Sequence, residues 1–243
     1  MPTISDKGFI IYIKKYNDRS SIIKIFSENN GVVSSFLKKT NIKSDKYKDQ
    51  VGNFVNFVYN FKNIESYGTI ETNNINDFLN IIFDKKLNLL LFNSLITIIN
   101  NILIENENVN LLYKIFYNLM FSLKDNNKNI LLNYVDFLFN IVEYTGIAIN
   151  YNVNEINDLF YISPKTGNCV SKQYGEKYKD KLFIIPKCFF ELTTDIEDIV
   201  NAINILHFFI YKYCKENNII KKYNSIKFFK NELIKYLIDK NDK

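Results

Sequence analysis

The feature that most constrains the fold is a change of hydrophobic period near residue 72. Before that point apolar residues tend to alternate with polar ones, and after residue 75 they recur every three or four positions. The first period is typical of strands and the second of amphipathic helices. The chain is therefore expected to begin with a small sheet and to continue as helices.

Five runs rich in β-branched and aromatic residues occupy the first part of the chain. They are Gly8–Tyr16, Ser20–Ser27, Val32–Lys39, Asn53–Lys62 and Tyr67–Thr72. In the fourth run the residues predicted to share the core face are Val55, Phe57, Tyr59 and Phe61. Five short strands in about 70 residues favour a small closed barrel, with the OB-fold as a leading candidate. A polar, lysine-rich loop, 41–50, is predicted between the third and fourth strands.

The helical part contains several apolar-striped segments and recognisable end signals. Helices are predicted over Leu87–Glu105, Val109–Leu123 and Ile130–Tyr144, and Gly146 is predicted to end the third in a left-handed conformation. Thr194 and Glu197 form a predicted capping box for a further helix, and a basic helix is predicted to begin near Ser225. The predicted fold is α+β: an OB-fold domain at residues 1–74, then an all-α domain at 75–243 in which 161–187 is irregular.

Charge is distributed in blocks along the chain, although the net charge is only +5. Residues 1–72 carry 11 Lys or Arg against 7 Asp or Glu, residues 161–187 carry 6 against 2, and residues 212–243 carry 9 against 4. Residues 73–160 and 188–211 are acidic on balance. Alternating blocks of this kind favour a face or groove that attracts phosphate, the alternative being solvated lysines without a partner.

Catalytic and metal-binding motifs are not apparent in the sequence. The three cysteines are far apart and the single histidine, His207, lies in an apolar helix, so zinc and disulfides are not expected. A hydrogen-bonded core histidine is the favoured interpretation of His207. Asp195, Glu197 and Asp198 are interpreted as first-turn helix acids rather than metal ligands. No enzyme, metal or cofactor is expected.

Neither the N-terminus nor the most apolar segment suggests secretion or membrane insertion. The N-terminus has no apolar signal-like region, and four asparagines interrupt the most apolar segment, Leu87–Ile104. A soluble, cytoplasmic protein associated with the nucleoid is expected.

The first three strands and the following loop combine lysines with aromatic residues, as nucleic-acid-binding barrels do. The predicted DNA-binding residues are Lys14, Lys15, Arg19, Lys24, Lys38, Lys39, Lys43, Lys46, Tyr47 and Lys48. Tyr47 lies in the polar loop and is a candidate for stacking on a base. Phe36 is either another stacking platform or a barrel-core residue, and its apolar strand favours the core.

Several segments of the chain occur in an order that is typical of one protein family. The first, "GFIIYIKKYNDRSSIIKIFSENNGVVSSFLKK", resembles the N-terminus of the RecO family of bacterial DNA repair proteins. The family's turn and strand-end positions are here Tyr16, Asn17, Asp18, Phe26, Ser27 and Gly31. It continues through "VGNFVNFVYNF", "FLFNIVEYTGIAIN" and "YNSIKFFKNEL". "KKTN" stands where the family has a Lys-Gly-Ala-Arg-like ending, so that glycine and arginine are missing here. The segment "YISPKTGNCVSKQYGEKYKDKLFIIPKCF" resembles the zinc-free form of the family's zinc module.

The resemblance implies a mediator of DNA repair and homologous recombination in the RecF pathway. Such proteins bind single- and double-stranded DNA, anneal strands coated with single-strand binding protein, and help RecR load RecA. The helical domain would receive the acidic, Phe-ended tail of single-strand binding protein. Candidate residues for the edge of that tail site are Lys212, Lys215, Lys221, Lys222, Lys227 and Lys230.

One alternative of a different class remains open at this point. In it the protein is a helical scaffold that holds other proteins, and the barrel is merely structural. The two hypotheses differ in whether residues 1–75 are needed for activity.

Overall fold

The computed structural model describes residues 2–18, 20–38, 49–61, 68–124, 129–149 and 159–241, with only the backbone of Lys38. The chain divides into two compact units, Met1–Lys124 and Asp125–Lys243. The change from strands to helices lies inside the first unit. The division into a 1–74 and a 75–243 domain stays a prediction.

The first unit is built on a closed five-stranded barrel, which confirms the predicted OB-type fold. Its strands are β1 (Thr3–Lys15), β2 (Ser20–Ser27), β3 (Gly31–Lys38), β4 (Phe54–Asn60) and β5 (Thr69–Asn76). The order around the barrel is β1-β2-β3-β5-β4, and β4 pairs back onto β1. Only the β3–β5 pair is parallel, and the other four pairs are antiparallel.

The barrel interior is filled by alternate residues from all five strands. Its buried core contains Ile10, Ile23, Ile25, Val33, Leu37, Val55, Phe57, Tyr59 and Ile70. Phe61 packs against this cluster from its edge, so the predicted core face of the fourth strand is confirmed. Burial of these apolar side chains supplies the main driving force for closing the barrel.

A β-bulge in β1 decides which side chains face outward from the barrel. Ile10 pairs with Ile25 and Tyr12 pairs with Lys24, so Ile11 is the extra residue. Because of this insertion, Ile10 and Ile13 both face the core although they are three residues apart. A bulge has this effect because it offsets the two-residue alternation by one position.

Three helices of the first unit cover one end of the outer face of the barrel. They are α1 (Leu79–Asp84), α2 (Lys86–Ile102) and α3 (Asn110–Lys124). The ring of Phe9 lies 4.8 Å from Phe54, 5.4 Å from Phe78 and 5.3 Å from Phe116, measured between centroids. Aromatic contacts at these distances add to the free energy of burying the rings. The sequence pattern did not predict α1.

The β2–β3 turn is held by a glycine and an aspartate. Gly31 has a φ of +63°, and a Cβ there would lie 1.9 Å from the carbonyl oxygen of Glu107. Asp6 accepts hydrogen bonds from the backbone N–H of Asn29 at 3.0 Å and from the side chain of Asn30 at 2.8 Å. The turn is therefore fixed both from β1 and from the segment that follows α2.

The second unit is mainly helical and also contains a small sheet. Its elements are α4 (Ile130–Tyr144), β6 (Leu159–Ile162), β7 (Cys169–Ser171), α5 (Lys172–Gly175), β8 (Phe183–Ile184), α6 (Ile196–Glu216) and α7 (Ile220–Asn241). A 3₁₀-helix, Glu176–Lys181, continues from α5. α6 packs against both α4 and α7, and the sheet has the order β7-β6-β8. The segment expected to be irregular therefore has regular structure.

Helix ends in the second unit agree with the sequence prediction at α4 and differ at α6 and α7. α4 has the predicted bounds, and Gly146 ends it with a φ of +80°. α6 is capped by Asp195 rather than Thr194, because the Asp195 carboxylate accepts the Glu197 N–H at 3.0 Å. α7 begins at Ile220, five residues before the predicted start, Ser225. Helix propensity alone did not predict the first turn of α7. Burial of Tyr223 stabilises this turn.

Candidate nucleic-acid interface

The end of the β1–β2–β3 surface that the helices leave open carries basic and aromatic side chains. Across the sheet Lys14 pairs with Ile22, which pairs with Phe36, while Tyr12 pairs with Lys24. Since paired residues point to the same side of a sheet, these side chains share one outer surface. We call this surface the aromatic–basic face and define it as Tyr12, Lys14, Tyr16, Ile22, Lys24 and Phe36.

Two of the aromatic rings on the aromatic–basic face contact each other. The centroids of Tyr16 and Phe36 lie 5.1 Å apart at an interplanar angle of 57°. Tyr16 is 62% exposed, and Phe36 is half-buried. The expectation that Phe36 belongs to the barrel core is wrong, because the inward residues of β3 are its neighbours Val33, Ser35 and Leu37. An exposed ring beside a second ring can stack on a nucleic-acid base.

The three predicted lysines whose side chains are described differ in how far their charges are compensated. Lys24 forms an ion pair with Glu105 at 2.7 Å, and Lys15 forms one with Asp18 at 2.7 Å. Lys14 is exposed and forms no ion pair with any residue that the structure describes. Lys14 is therefore the described cation on this face that is most available to a phosphate.

The remaining predicted DNA-binding residues cannot be placed on this surface. Lys38 ends β3, and its backbone pairs with Ser20 next to the aromatic–basic face. The residues outside the described ranges are Arg19, Lys39, Lys43, Lys46, Tyr47 and Lys48. Their assignment to DNA binding stays a prediction.

Sequence reasoning did not select Tyr12 and Tyr16 as binding residues. Each lies two positions from Lys14 in the sequence, and this spacing is the signal that could have identified them. The signal is ambiguous because the same alternation also includes Ile10, which faces the core. Only the bulge at Ile11 separates Ile10 from Tyr12.

The lysines predicted at the helical tail site do not form a single cluster in the second unit. Lys212 donates a hydrogen bond to the carbonyl oxygen of Lys165 at 2.5 Å, and Lys215, Lys221 and Lys222 are exposed near the α6–α7 turn. Lys230 instead lines a groove of about 380 Å³ between α6 and α7. The other residues lining this groove are Asn204, Asn231, Ile234, Lys235, Ile238 and Asp239. Burial lowers the pKa of Lys230, and the nearby Lys227 contributes to the same shift.

The titratable groups that could suggest catalysis are either buried, as His207 is, or hydrogen-bonded to the backbone, as Asp198 is. His207 is fully buried, and burial lowers its pKa to about 3, with a further contribution from Lys230. Neither ring nitrogen has a hydrogen-bond partner among the described residues, so the expectation of a hydrogen-bonded histidine is wrong. Asp198 accepts the backbone N–H groups of Lys187 and Cys188 at 2.8 Å each.

Burial of the cysteines is uneven, and no metal-binding cluster is found in the described part of the chain. Cys214 is buried, while Cys169 and Cys188 are half-buried, and all three are free thiols. Burial raises the pKa of Cys169 to about 11. Among the residues that the structure describes, no group of three or more His, Cys, Asp or Glu side chains could hold a metal ion. Within the same residues, none of the helices has the length and apolar character needed to span a bilayer.

The five strands form a closed barrel in which β3 and β5 are parallel, and helices follow the barrel in the chain. This fold, together with the exposed aromatic–basic face, defines an OB-fold protein. Comparison with known families identifies which family of OB-fold proteins the chain resembles. Residues 1–78 match the family described as "Recombination protein O N terminal".

Full-length relatives give the same assignment. The chain is 30% identical over 223 residues to "DNA repair protein RecO" of Rickettsia canadensis (strain McKiel), covering 88% of this chain and 90% of that protein. It is 30% identical to the protein of that name from Rickettsia typhi (strain ATCC VR-144 / Wilmington), covering 88% and 92%. For the Orientia tsutsugamushi (strain Ikeda) protein the identity is also 30%, covering 86% and 89%. The chain belongs to the RecO family.

Proposed function

We propose that this protein mediates DNA repair and homologous recombination as a non-enzymatic, DNA-binding member of the RecF pathway. It binds single- and double-stranded DNA, anneals complementary strands coated with single-strand binding protein, and helps RecR load RecA. It acts in the cytoplasm at the nucleoid. The observation that carries the DNA-binding part is the aromatic–basic face, where the exposed Lys14 lies beside the exposed rings of Tyr12 and Tyr16.

The mode of binding follows from the chemistry of this face. Rings accept any base by stacking and lysines contact phosphates, so the face binds a strand without reading its sequence. If the whole chain neutralises about five phosphates of a single strand, log K falls with log[salt] at a slope of about −3.5. A flat salt dependence, measured by fluorescence anisotropy with an oligothymidylate, contradicts phosphate binding.

Lys14→Gln tests the contribution of the exposed cation on this face. Removing one phosphate contact is expected to make the salt slope shallower by about 0.7 for single strands. Lys7→Gln is a matched control, because Lys7 lies in the same strand but pairs with Glu28 at 3.1 Å, away from the face. An equal loss in both variants would show that only net charge matters.

Tyr16→Ala tests the stacking platform on the same face. Loss of one stacked base is expected to weaken binding by about 5- to 150-fold, the equivalent of about 1–3 kcal/mol. The exposure of Tyr16 means that folding is little affected. Phe83→Ala is the control, because Phe83 is a 68% exposed ring in α1 of the same unit. Unchanged affinity of Tyr16→Ala would exclude stacking at this ring.

The groove between α6 and α7 is the proposed site for the tail of single-strand binding protein. Ile234 and Ile238 offer an apolar floor for a terminal phenylalanine, and Lys230 and Lys235 offer charges for its carboxylates. Lys230→Gln is expected to weaken binding of an acidic, Phe-ended peptide, measured by anisotropy. Lys240→Gln, a change in the last turn of α7 outside the groove, should have no effect. Equal affinities of the two variants would place the tail elsewhere.

Strand annealing tests the proposed activity as a whole. The protein is expected to accelerate pairing of complementary oligonucleotides coated with single-strand binding protein. Lys14→Gln and Tyr16→Ala should slow this reaction, whereas Lys7→Gln should not. Annealing at the uncatalysed rate in the presence of the wild-type protein would refute the proposal.

A further inference from the structure

The helical segment Lys172–Lys181 of the second unit is held firmly on the small sheet through one of its sides. A Cβ on Gly175 would lie 2.3 Å from Cδ2 of Tyr161, so the backbone there lies directly against the ring of Tyr161. The Tyr161 hydroxyl donates a hydrogen bond to Glu176 at 3.0 Å. Ser171 caps the segment by accepting the N–H of Tyr174. Apart from Gly175, which is buried, the residues of the segment are exposed.

The exposed residues of the segment include two tyrosines, each followed three residues later by a lysine. We call Tyr174, Lys177, Tyr178 and Lys181 the Tyr–Lys segment. Tyr174 is 77% exposed and Tyr178 is 61% exposed, and both lysines are exposed. Tyr178 and Lys181 both lie in the 3₁₀-helix, where residues three apart lie one above the other, about 6 Å apart along the axis. Tyr174 lies in α5 and Lys177 near the start of the 3₁₀-helix, so this lysine also follows its tyrosine by about one turn.

The charges around the Tyr–Lys segment favour the binding of an anion. Glu176 is already engaged, because it pairs with Lys179 at 3.3 Å and accepts the Tyr161 hydroxyl. Lys172 lies 5.2 Å from the ring centroid of Phe160, and so adds a cation at the start of the segment. Asp180 is the one other acid between residues 161 and 187, against six lysines. An open groove of about 720 Å³, lined by Val170, Lys172 and Tyr174, runs beside the segment.

We propose that the Tyr–Lys segment is a second binding surface for single-stranded nucleic acid, separate from the barrel. Bases stack on Tyr174 and Tyr178, and Lys177 and Lys181 contact the phosphates of the same strand. The geometry suits this occupant because stacking needs exposed ring faces and backbone tracking needs cations at a regular spacing. The chain then has one strand-binding surface in each compact unit, as a protein that pairs two strands requires. The proposal does not rest on the function of the barrel.

Photo-crosslinking of the full-length protein locates the contact directly. An oligothymidylate carrying 5-iodouracil is irradiated with the protein, and the crosslinked peptides are identified by mass spectrometry. Adducts on Tyr174 or Tyr178 are expected, at yields that fall when unlabelled oligothymidylate competes. Adducts on Tyr12 or Tyr16 report the aromatic–basic face, so failure of one proposal is distinguishable from failure of the other. Absence of adducts on both segment tyrosines overturns the inference.

Two pairs of variants separate stacking from a structural role. Tyr174→Ala with Tyr178→Ala is expected to weaken binding of oligothymidylate at least about tenfold when the barrel carries Tyr16→Ala. Tyr174→Phe with Tyr178→Phe keeps both rings and should bind like the parent protein. Lys177→Gln with Lys181→Gln should make the salt slope shallower by about 1.4. Equal affinity of the Ala and Phe pairs contradicts the proposal.

The ligand class is tested with two further probes. Oligouridylate in place of oligothymidylate distinguishes RNA from DNA as the preferred strand, and binding of either supports the stacking chemistry. An acidic peptide tests the protein alternative by its protection of Tyr174 and Tyr178 from iodination. Protection by the peptide and not by either oligonucleotide would make the segment a protein-docking surface and overturn the inference.

Discussion

At the residue scale, His207 shows how burial without a hydrogen-bond partner among the described residues creates pH dependence. It is the only histidine in the chain, it is fully buried, and its pKa is lowered to about 3 by burial and by Lys230. The unfolded chain binds a proton at this site near pH ~6.5, whereas the folded protein does not. Stability is therefore complete above pH ~6.5 and is lost as pH falls from there toward the folded-state pKa.

The first prediction follows from this assignment. Between pH ~6.5 and ~5.0 the free energy of unfolding is expected to fall by about 2 kcal/mol in the wild type. His207→Leu should remove this part of the pH dependence, and urea denaturation at several pH values measures it. Ile210→Leu, at a buried α6 position without an ionisable group, should retain it. A pH profile unchanged by His207→Leu would contradict the assignment.

Asp6 also has a lowered pKa, but hydrogen bonds rather than burial lower it. Burial tends to raise the pKa of its carboxyl group, but hydrogen bonds from Asn29, Lys7 and Asn30 outweigh burial and lower the pKa. Asp6 is half-buried, so solvent screens the interaction in part. Because the folded state favours the carboxylate, its stabilising effect is complete above pH ~4 and is lost as pH falls below that value.

The second prediction concerns Asp6→Asn. We expect a loss of about 1 kcal/mol at neutral pH, since hydrogen bonds to a charged acceptor are replaced by weaker neutral ones. The difference from wild type should be smaller at pH ~3, because the unfolded chain takes up a proton there while the pKa of the folded carboxyl is lowered. Asp18→Asn, an exposed change in the same unit, serves as the control. An Asp6→Asn cost that is equal at both pH values would rule out a carboxylate effect.

At the scale of elements, the N-cap of α6 differs from the one that the sequence motif predicts. Thr194 with Glu197 fits the capping-box spacing, yet Asp195 is the residue with extended backbone that accepts the Glu197 N–H. Threonine and aspartate are both favourable caps, so local sequence did not decide between them. The preceding turn decides, since Thr193 accepts the N–H of Asp195 at 3.1 Å.

The third prediction uses this pair of neighbouring residues. Asp195→Ala is expected to destabilise the protein by about 1 kcal/mol, because an N–H in the first turn loses its acceptor. Thr194→Ala should cost much less, since Thr194 is not the cap. Thermal denaturation of the two variants makes the comparison. A larger loss for Thr194→Ala would support the predicted capping box instead.

At the scale of the whole molecule, the barrel depends on the helices that follow it in the same unit. Phe9 and Phe26 lie on the outer face of the barrel, and both are fully buried. Phe116 of α3 covers them at centroid distances of 5.3 and 5.4 Å. A barrel without α3 would expose both rings to water.

The fourth prediction follows at this scale. A fragment of residues 1–124 is expected to unfold cooperatively, whereas a fragment of residues 1–78 should expose apolar surface and unfold at a lower urea concentration. Circular dichroism and binding of a hydrophobic dye compare the two fragments. Equal cooperativity and equal dye binding would show that residues 1–78 fold without the helices, in support of the predicted 1–74 domain.

The sequence by itself determined the order of the five barrel strands and of the longer helices, the barrel core and the basic character of the first strands. These features depend on the local hydrophobic period and on composition. Both reflect which side chains are buried away from water. Tertiary structure alone decided that Tyr12 faces outward, that Phe36 leaves the core and that Asp195 caps α6. The bulge at Ile11 turns Tyr12 outward, strand pairing places Phe36 on the outer face, and one hydrogen bond makes Asp195 the cap. Each of these depends on groups whose positions the local sequence pattern does not determine.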